Sequence, residues 1–296
     1  MSGMKTILKV LVALVVVAIL LAGALAWRGQ SILSHQWEIA IAPRTAPLAP
    51  PDLVEGKRIA TIRGCLECHG ADLGGQLLVQ APIGDLVPPN LTRGKGGVVA
   101  AYTPEDWERA IRHGVGPGGR PLILMPSDDN TVMSEADYAT LLAYVQSMPP
   151  VDRENPPTRL TLLGQILLGA GQLPLLTAER IDHALRPAQP LAAPTVEYGE
   201  YVANMCAGCH GSNFAGGPIP GQPPQSPAAA NLTPKGAIKD WTLAQFSAAL
   251  RTGVLPDGRK MEPQYMPWSA FAAMTDTEVE ALYQYLNLLP AADQRP

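Results

Sequence analysis

One pentapeptide occurs twice in this 296-residue chain, and both copies have the residue types needed to attach a haem covalently. The copies are Cys65–His69 (CLECH) and Cys206–His210 (CAGCH), and each reads C-x-x-C-H. Two thiols at this spacing can reach the two vinyl groups at one edge of a porphyrin, and the histidine that follows can bind the iron. The pattern predicts two haem c groups, with His69 and His210 as iron ligands. The attaching residues are the only four cysteines in the chain: Cys65, Cys68, Cys206 and Cys209.

Two other kinds of cysteine site share part of this pattern. A redox dithiol needs no histidine directly after the second cysteine, and no βαβ pattern surrounds either motif. A zinc site built from all four cysteines would have to join pairs from opposite halves of the chain, far beyond the usual spacing of zinc ligands. Haem attachment is therefore the favoured interpretation.

A six-coordinate haem iron needs a second protein ligand, and each half offers a candidate at the same place. Met125 follows His69 at the same sequence separation at which Met266 follows His210, since 125 − 69 equals 266 − 210. One methionine among nine is more often a core residue, but the identical spacing favours axial ligation by these two. Met261 is not repeated and is the weaker rival.

The remaining methionines and histidines have other expected roles. Met133 and Met274 also repeat, but each lies beside a predicted helix start, where core packing is the expected role. The other N–H of each iron-binding imidazole should donate to a backbone carbonyl near residues 89–91 or 230–232. The histidines without a repeated counterpart are interpreted as structural or surface residues, with ligation by the second of them the lesser alternative: His35, His113 and His183.

The similarity between the halves extends well beyond the two motifs. The main period is 141 (210 − 69), and a stretch in the middle is offset by 139, as for Arg112 and Arg251 (251 − 112). A register that slips by two residues and recovers is expected for duplication of one module with small loop changes. Pairs at the main period include Asn90-Leu91-Thr92 with Asn231-Leu232-Thr233, Met125-Pro126 with Met266-Pro267, Tyr144 with Tyr285, and Pro149 with Pro290.

Start and stop signals along the chain predict helices and no convincing strand. The run Thr103-Pro104-Glu105-Asp106 combines an N-cap, a proline in the first helical position and two acids, and Gly114 can end that helix. The fold class is therefore predicted as all-α: two tandem helical domains, each around one haem. Predicted helices begin near residues 52, 103 and 134 in the first half and cover 196–204, 242–252 and 276–288 in the second.

An apolar stretch near the N-terminus predicts export of the chain. From Val10 to Ala26 there is no charged residue, and Lys5 and Lys9 lie at its N-terminal end. This favours a single membrane-spanning helix with the N-terminus in the cytoplasm of a bacterium and the remainder on the periplasmic side of the inner membrane. A cleaved signal peptide, with cleavage after Ala26, is the alternative.

Proline-rich segments separate the predicted domains. The second of them has an uncharged, apolar middle from Leu160 to Leu176. This middle is either a linker helix packed on the haem domains or an apolar patch for a partner subunit or the membrane interface. The predicted divisions are a membrane anchor at 1–28, a spacer at 29–50, a first haem domain at 51–150, a linker at 151–193 and a second haem domain at 194–296.

The overall composition fits small domains that are each filled by a cofactor. The chain has 30 Pro and 28 Gly but only 3 Phe, and 16% of its residues are charged. A haem would supply the apolar bulk that these few aromatic residues cannot. The net charge is −4, and no basic run suggests a nucleic-acid partner.

Each half resembles a class I c-type cytochrome domain, with a helix entering C-x-x-C-H, an Asn-Leu-Thr loop, a Met-Pro turn and a C-terminal helix carrying a tyrosine. The match covers roughly residues 51–150 and 194–291. This resemblance implies a small helical fold with one haem edge near solvent and reversible Fe(III)/Fe(II) cycling. The whole chain also resembles cytochrome subunits of membrane-bound bacterial dehydrogenases and the dihaem subunit of cbb3-type oxidases. The former commonly carry three haem motifs, and the latter usually has more membrane-spanning sequence.

The predicted function is electron transfer without catalysis. Two protein ligands on each iron leave no open position for a substrate, so single electrons would pass from a donor protein to an acceptor in a respiratory or photosynthetic chain. The partners would be redox proteins, met transiently or as permanent subunits of a membrane complex. The alternative is a dihaem enzyme of the peroxidase or thiosulfate-oxidising type, which would need an exchangeable distal ligand.

Overall fold

The computed structural model describes residues 2–41, 50–185, 190–219, 221–223 and 225–295. Over these residues the chain is mostly helical, as predicted, with two similar helical units. Residues 42–49, in the predicted spacer, lie outside the described part. The first unit and its flanks contain α1 (Ser2–Ser34), α2 (Leu53–Ile62), α3 (Cys65–His69), β1 (Val79–Ala81), β2 (Gly84–Leu86), α4 (Pro104–His113), α5 (Ser127–Thr131), α6 (Glu135–Ser147), β3 (Arg159–Leu160) and α7 (Leu162–Gly169). The second contains α8 (Val196–His210), α9 (Leu243–Thr252), α10 (Trp268–Phe271) and α11 (Asp276–Leu288).

Side-chain caps begin the main helices where the sequence predicted them. Asp52 accepts the backbone N–H groups of Val54 and Glu55 at the start of α2. Thr103 and Asp106 form a reciprocal capping box on α4, and α9 and α11 begin with the same device. Each cap satisfies N–H groups that have no partner within the helix, so the helix starts are fixed locally.

A glycine lets the first and last helices of each unit cross closely. A Cβ on Gly56 would overlap the carbonyl oxygen of Thr140 in α6, and one on Gly199 would overlap that of Ala281 in α11. No side chain fits at either crossing. The pairs α2–α6 and α8–α11 form the frames on which the rest of each unit is built.

Two features differ from the expected helix pattern. The helix before the first motif ends at Ile62, and Gly64, with φ of 72°, precedes the short α3. In the second unit α8 runs unbroken to His210, past the predicted end near residue 204. The offset between crossing glycines is 143 (199 − 56), two more than between the motifs, so Arg63-Gly64 corresponds to a two-residue insertion that breaks the helix.

The expectation of no strand was wrong for a small sheet in the first unit. Strands β1 and β2 form an antiparallel hairpin, and β3, which comes from the predicted linker, pairs antiparallel with β2. The strands are only two or three residues long, and β3 follows α6 in the chain, far from the β1–β2 hairpin. Such non-local pairing leaves little signal in a local sequence pattern.

The two units pack against each other through polar contacts. Arg58 in α2 forms an ion pair with Glu278 in α11, with an N···O distance of 2.7 Å. Tyr201 in α8 donates its hydroxyl hydrogen to the Asp137 carboxylate and accepts the Ser134 backbone N–H at 3.1 Å. The units therefore form one assembly with a defined interface.

The N-terminal helix α1 is long and apolar enough to cross a membrane, and its most apolar stretch is exposed throughout. It is the one such helix in the described parts of the chain. It extends to Ser34, beyond the predicted anchor boundary at residue 28. Its C-terminal part packs against α7 from the linker.

Candidate functional sites

The first site is a small cavity of about 50 Å³ in the first unit. Its walls include Cys65, Cys68 and His69 from α3 and Met125 from the opposite loop, together with apolar side chains such as Leu141. The structure thus brings all four predicted residues of this half to one largely apolar space.

A backbone carbonyl fixes the imidazole on each motif. His69 donates its Nδ1–H to the carbonyl oxygen of Pro89 at 2.9 Å, and His210 donates to that of Ala230 at 2.7 Å. Both acceptors lie where the sequence placed them. With Nδ1 as donor, Nε2 carries the lone pair that a metal needs.

The asparagine that follows each of these carbonyls ties the loop to the end of the unit. The Asn90 amide donates to Val151 O at 2.7 Å, while its oxygen accepts the Thr92 backbone N–H. Asn231 makes the equivalent bonds, including one to Ala292 O at 2.7 Å. The Asn-Leu-Thr repeat therefore holds the loop that positions the imidazole, a role that the spacing alone did not reveal.

The electrostatic environment keeps the motif side chains neutral. Burial raises the pKa of the Cys65 thiol to about 11, despite the nearby positive charge of Arg63. Burial and the nearby Asp129 raise the pKa of the Cys206 thiol to about 12. Burial also lowers the pKa of both His69 and His210, which favours the neutral imidazole that binds iron.

In the second unit most of the predicted site residues lie at the core. Cys206 and Met266 both pack against this core, and His210, at the end of α8, is buried. Cys209 is exposed at the rim of the unit. Met266 precedes the short helix α10, as Met125 precedes α5.

Other side chains that repeat between the halves stabilise the helical scaffold around the sites. Met133 and Met274 are buried in the two cores, as predicted. Arg112, which is 1% exposed, donates to the carbonyl oxygen of Met133 at 2.6 Å, and Arg251 bonds that of Met274 at 3.0 Å. These arginines therefore tie α4 and α9 to the loops that precede α6 and α11.

Of the unrepeated histidines, two meet at the C-terminal end of α4. The Nδ1 atoms of buried His113 and of His183 lie 3.0 Å apart, and the Trp37 ring packs edge-on against His183. This contact joins the segment after α1 to the linker, which supports a structural interpretation for His113 and His183.

A contact between the units connects the two motifs. Arg63, which lines the first cavity, donates to the backbone carbonyl of Asp129 at 2.9 Å. The Asp129 carboxylate lies 3.3 Å from where a Cβ on Gly208 would be, inside the second motif. Burial and the charge of Asp128 raise the pKa of Asp129 to about 7. Neither Arg63 nor Asp129 has a repeat that could have indicated its role in advance.

The residues of both sites fit a covalently bound haem. Paired thiols stand beside each histidine, the histidine presents a neutral Nε2, and in the first unit a methionine lies across an apolar cavity from them. The described residues hold no cluster of His, Cys, Asp and Glu suited to a bare metal ion.

Comparison with known proteins agrees with this chemistry in both halves. Residues 196–290 match the family model described as cytochrome c, and residues 51–145 match that of cytochrome c oxidase, cbb3-type, subunit III.

Curated relatives extend the similarity across the linker. The chain is 26% identical to the fructose dehydrogenase cytochrome subunit of Gluconobacter japonicus, over 84% of this chain and 55% of that protein, so it spans about half of that relative. It is 26% identical to a diheme cytochrome c-type protein of Cereibacter sphaeroides, over 80% of this chain and 86% of the relative. The gluconate 2-dehydrogenase cytochrome c subunit of Pantoea cypripedii is 32% identical over 34% of this chain and 24% of its own length. With two cytochrome c domains and two haem c groups, the chain is a dihaem class I c-type cytochrome, similar to the cytochrome subunits of dehydrogenases.

Proposed function

We propose that this chain is a membrane-tethered electron carrier whose two irons are each held by a histidine and a methionine. The pairs are His69 with Met125 and His210 with Met266. The observation that carries the proposal is the cavity that Cys65, Cys68, His69 and Met125 share, with the His69 imidazole fixed through Nδ1.

A bound haem supplies reversible one-electron Fe(III)/Fe(II) chemistry. The protein holds it in place, excludes water from it and sets its potential. Buried apolar side chains surround the first site, and the Pro89 carbonyl increases the electron donation of His69 by accepting its N–H. A methionine thioether favours the ferrous state. Two protein ligands per iron leave no position at which a substrate could react.

The contact between the units offers the route for electrons within the molecule. Gly64 and Arg63 directly precede Cys65, Arg63 bonds Asp129, and Asp129 lies against Gly208. This packed chain of atoms runs from one attachment motif to the other. We propose that electrons cross between the haems at this contact.

The tether is α1, with the haem domains on the periplasmic side of a bacterial inner membrane. Lys5 and Lys9 before the apolar stretch favour this orientation. The proposed divisions are 1–28 for the anchor, 51–150 and 194–296 for the haem domains, and 151–193 for the linker. Protease treatment of spheroplasts should degrade the haem domains, and full protection would contradict the orientation.

The donor is proposed to be the catalytic subunit of a dehydrogenase. Support comes from two relatives that are named as cytochrome subunits of dehydrogenases. The fructose dehydrogenase subunit is similar over 84% of this chain, and the gluconate 2-dehydrogenase subunit over 34%. Purification of the tagged chain in mild detergent should yield a dehydrogenase in fixed proportion. A chain that elutes alone and transfers electrons to a soluble acceptor would indicate a free shuttle.

Replacement of the two methionines tests the ligand assignment. Met125→Leu and Met266→Leu should each remove the weak near-infrared charge-transfer signal of methionine ligation from one haem and leave about half of the total, as expected for independent sites. Met261→Leu is the matched control and should retain both signals. A variant that keeps the full signal would show that its methionine is not a ligand.

The same samples separate a carrier from an enzyme. In the unaltered protein, low-spin spectra at both haems and no reaction with cyanide or peroxide are expected, in the oxidised and half-reduced states. Binding of either reagent at one haem would instead indicate an exchangeable ligand and a peroxidase-type or thiosulfate-oxidising function.

A further inference from the structure

Part of the linker, after α7, is buried against the loop that carries Met125. This part comprises residues 175–178, which we call the strap, and none of its residues is more than 8% exposed. The backbone N–H of Leu124 donates to the carbonyl oxygen of Leu175 at 2.7 Å. The strap therefore binds the residue that directly precedes the predicted methionine ligand.

Two further contacts join the strap to this loop. Ile123 and Leu176 form an antiparallel bridge. The hydroxyl of Thr177 donates to the carbonyl oxygen of Met125 at 3.0 Å, and the same oxygen accepts the backbone N–H of Ser127 at 2.9 Å. The backbone of the predicted ligand is thus held from two sides, by its own helix α5 and by the linker.

The loop has a backbone conformation that its own sequence does not favour. Leu124 has φ of 69°, in the left-handed region that a leucine rarely adopts. Such a conformation persists only where surrounding structure holds it, and the bond to Leu175 does so. In the described second unit the counterpart of Leu124 is Tyr265 (265 − 124 = 141), which does not adopt this conformation.

The second unit closes its methionine loop with its own residues. Leu122 and Met261 are equivalent, and each donates its backbone N–H to the glycine that ends the preceding helix. The predicted methionine ligand follows three residues later in the first unit (125 − 122) and five residues later in the second (266 − 261). The longer loop forms its own turn, in which the Met266 N–H donates to Glu262 O at 3.1 Å.

A side chain of the second unit takes the place that the strap has in the first. A Cβ on Gly114 would lie 2.5 Å from the hydroxyl oxygen of Thr177, and one on the equivalent Gly253 would lie 2.5 Å from the ring of Trp268. Trp268 is the counterpart of Ser127 (268 − 127 = 141). The small serine therefore leaves the space that the linker fills.

We propose that the strap is part of the first haem site and that Thr177 is a positioning residue for the Met125 thioether. Thr177 acts through the backbone of Met125. Methionine ligation at the first haem thus depends on the linker, and methionine ligation at the second haem does not. The inference rests on the proposed histidine–methionine ligation and extends the first site beyond the domain boundary at residue 150.

Displacement of the methionine by imidazole, in the ferric haem-loaded full chain in non-ionic detergent, tests this role. Imidazole in large excess binds only where the loop has opened, so its apparent affinity measures the open fraction. A Met266→Leu background leaves only the near-infrared signal of Met125, and a Met125→Leu background leaves only that of Met266. Thr177→Val keeps the size of the side chain and removes its donor, and Thr177→Ser keeps the donor.

In the Met266→Leu background, Thr177→Val should raise the apparent affinity for imidazole, measured by loss of the near-infrared signal, about fivefold, as expected for one lost hydrogen bond. Thr177→Ser should stay close to the unaltered linker. In the Met125→Leu background, Thr177→Val should leave displacement of Met266 unchanged.

The other outcomes overturn the inference in distinguishable ways. If Thr177→Val lowers the urea midpoint but leaves the imidazole affinity unchanged, Thr177 supports the fold without positioning Met125. If displacement of Met266 becomes easier to the same extent, the effect is not specific to the first site. In both cases the ligand assignment stands. If Met266→Leu with the native Thr177 has no near-infrared signal, Met125 is not a ligand, and both the proposed ligation and this inference are wrong.

Discussion

The carboxyl group between the two attachment motifs should make the stability of the protein depend on pH. Asp129 has its pKa raised from the ordinary 3.8 to about 7, first by burial and then by the neighbouring charge of Asp128. Arg63 and Arg180 offset only part of this effect. Replacement of Asp129 by Asn keeps the size of the side chain and removes its ability to ionise.

The sign and size of the effect follow from the pKa difference. Between pH 3.8 and about 7 the folded chain binds one more proton at Asp129 than the unfolded chain, so the free energy of unfolding falls as the pH rises through this window. Each pKa unit corresponds to about 1.4 kcal/mol, which gives an upper limit of about 4 kcal/mol for the whole window. Since the side chain keeps some contact with water, we expect about 2 kcal/mol.

The assay is urea unfolding of the haem-loaded full chain in a non-ionic detergent, followed by far-ultraviolet circular dichroism from pH 4 to 8.5. At the acid end the Asp129→Asn variant and the unaltered protein should be equally stable. Above pH 7 the variant should be more stable by about 2 kcal/mol. Asp240→Asn, at an exposed carboxylate, is the control and should follow the unaltered protein. Parallel profiles for Asp129→Asn and the unaltered protein at every pH would refute the reasoning.

Three further substitutions test the scaffold. Gly56→Ala should destabilise the first unit by about 1–3 kcal/mol in urea unfolding, because the new Cβ meets a backbone carbonyl, and should leave the spectrum of the second haem unchanged. Arg58→Met should remove the ion pair with Glu278 and split one urea transition into two, whereas an unchanged single transition would show that this pair does not couple the units. Asn90→Leu should cost about 1–3 kcal/mol and broaden the spectral signature of imidazole ligation at the first haem, since the carbonyl that holds His69 loses its support.

The sequence was most informative where chemistry or local geometry constrains residue type. The C-x-x-C-H motifs predicted the cofactor, and the capping signals at residues 52, 103 and 134 predicted helix starts that the structure contains. The carbonyls of Pro89 and Ala230 were expected from the need to orient an imidazole. Ligation by Met125 and Met266 stays a prediction that rests on equal spacing.

Features that depend on contacts between distant segments were not predictable in this way. Strand β3 pairs with a hairpin from the other end of the first unit, and α7 finds its partner in α1. The role of Asp129 arises only because α5 of one unit lies on α8 of the other. The sequence left two roles open for the linker, because hydrophobicity alone cannot say what covers an apolar segment.

The contacts between the units follow the duplication itself. Arg58 and Tyr201 are equivalent by the offset of 143 between the crossing glycines (201 − 58), and Asp137 and Glu278 are equivalent by the main period of 141 (278 − 137). Arg58 binds Glu278, and Tyr201 binds Asp137. The contact of Arg58 in the first unit with Glu278 in the second is thus matched by a contact of the equivalent residues, Tyr201 in the second unit with Asp137 in the first. Such reciprocal contacts are those of a two-fold symmetric dimer interface. The tandem chain has kept the interface expected of two associated copies.

This symmetry places the helices that enter both motifs at the interface, and the two-residue insertion breaks it at one point. Arg63 and Gly64 exist only in the first unit, directly before Cys65. Arg63 bonds the backbone carbonyl of Asp129 in its own unit and reaches across the interface to the ring of Tyr201. A cation thus stands beside the first motif, while a carboxyl group with its pKa near 7 stands beside the second. A positive charge favours the reduced iron and a negative charge the oxidised iron, so two similar ligand sets would have different potentials. By this reasoning we expect the first haem to have the higher potential and electrons to move downhill from the second unit to the first.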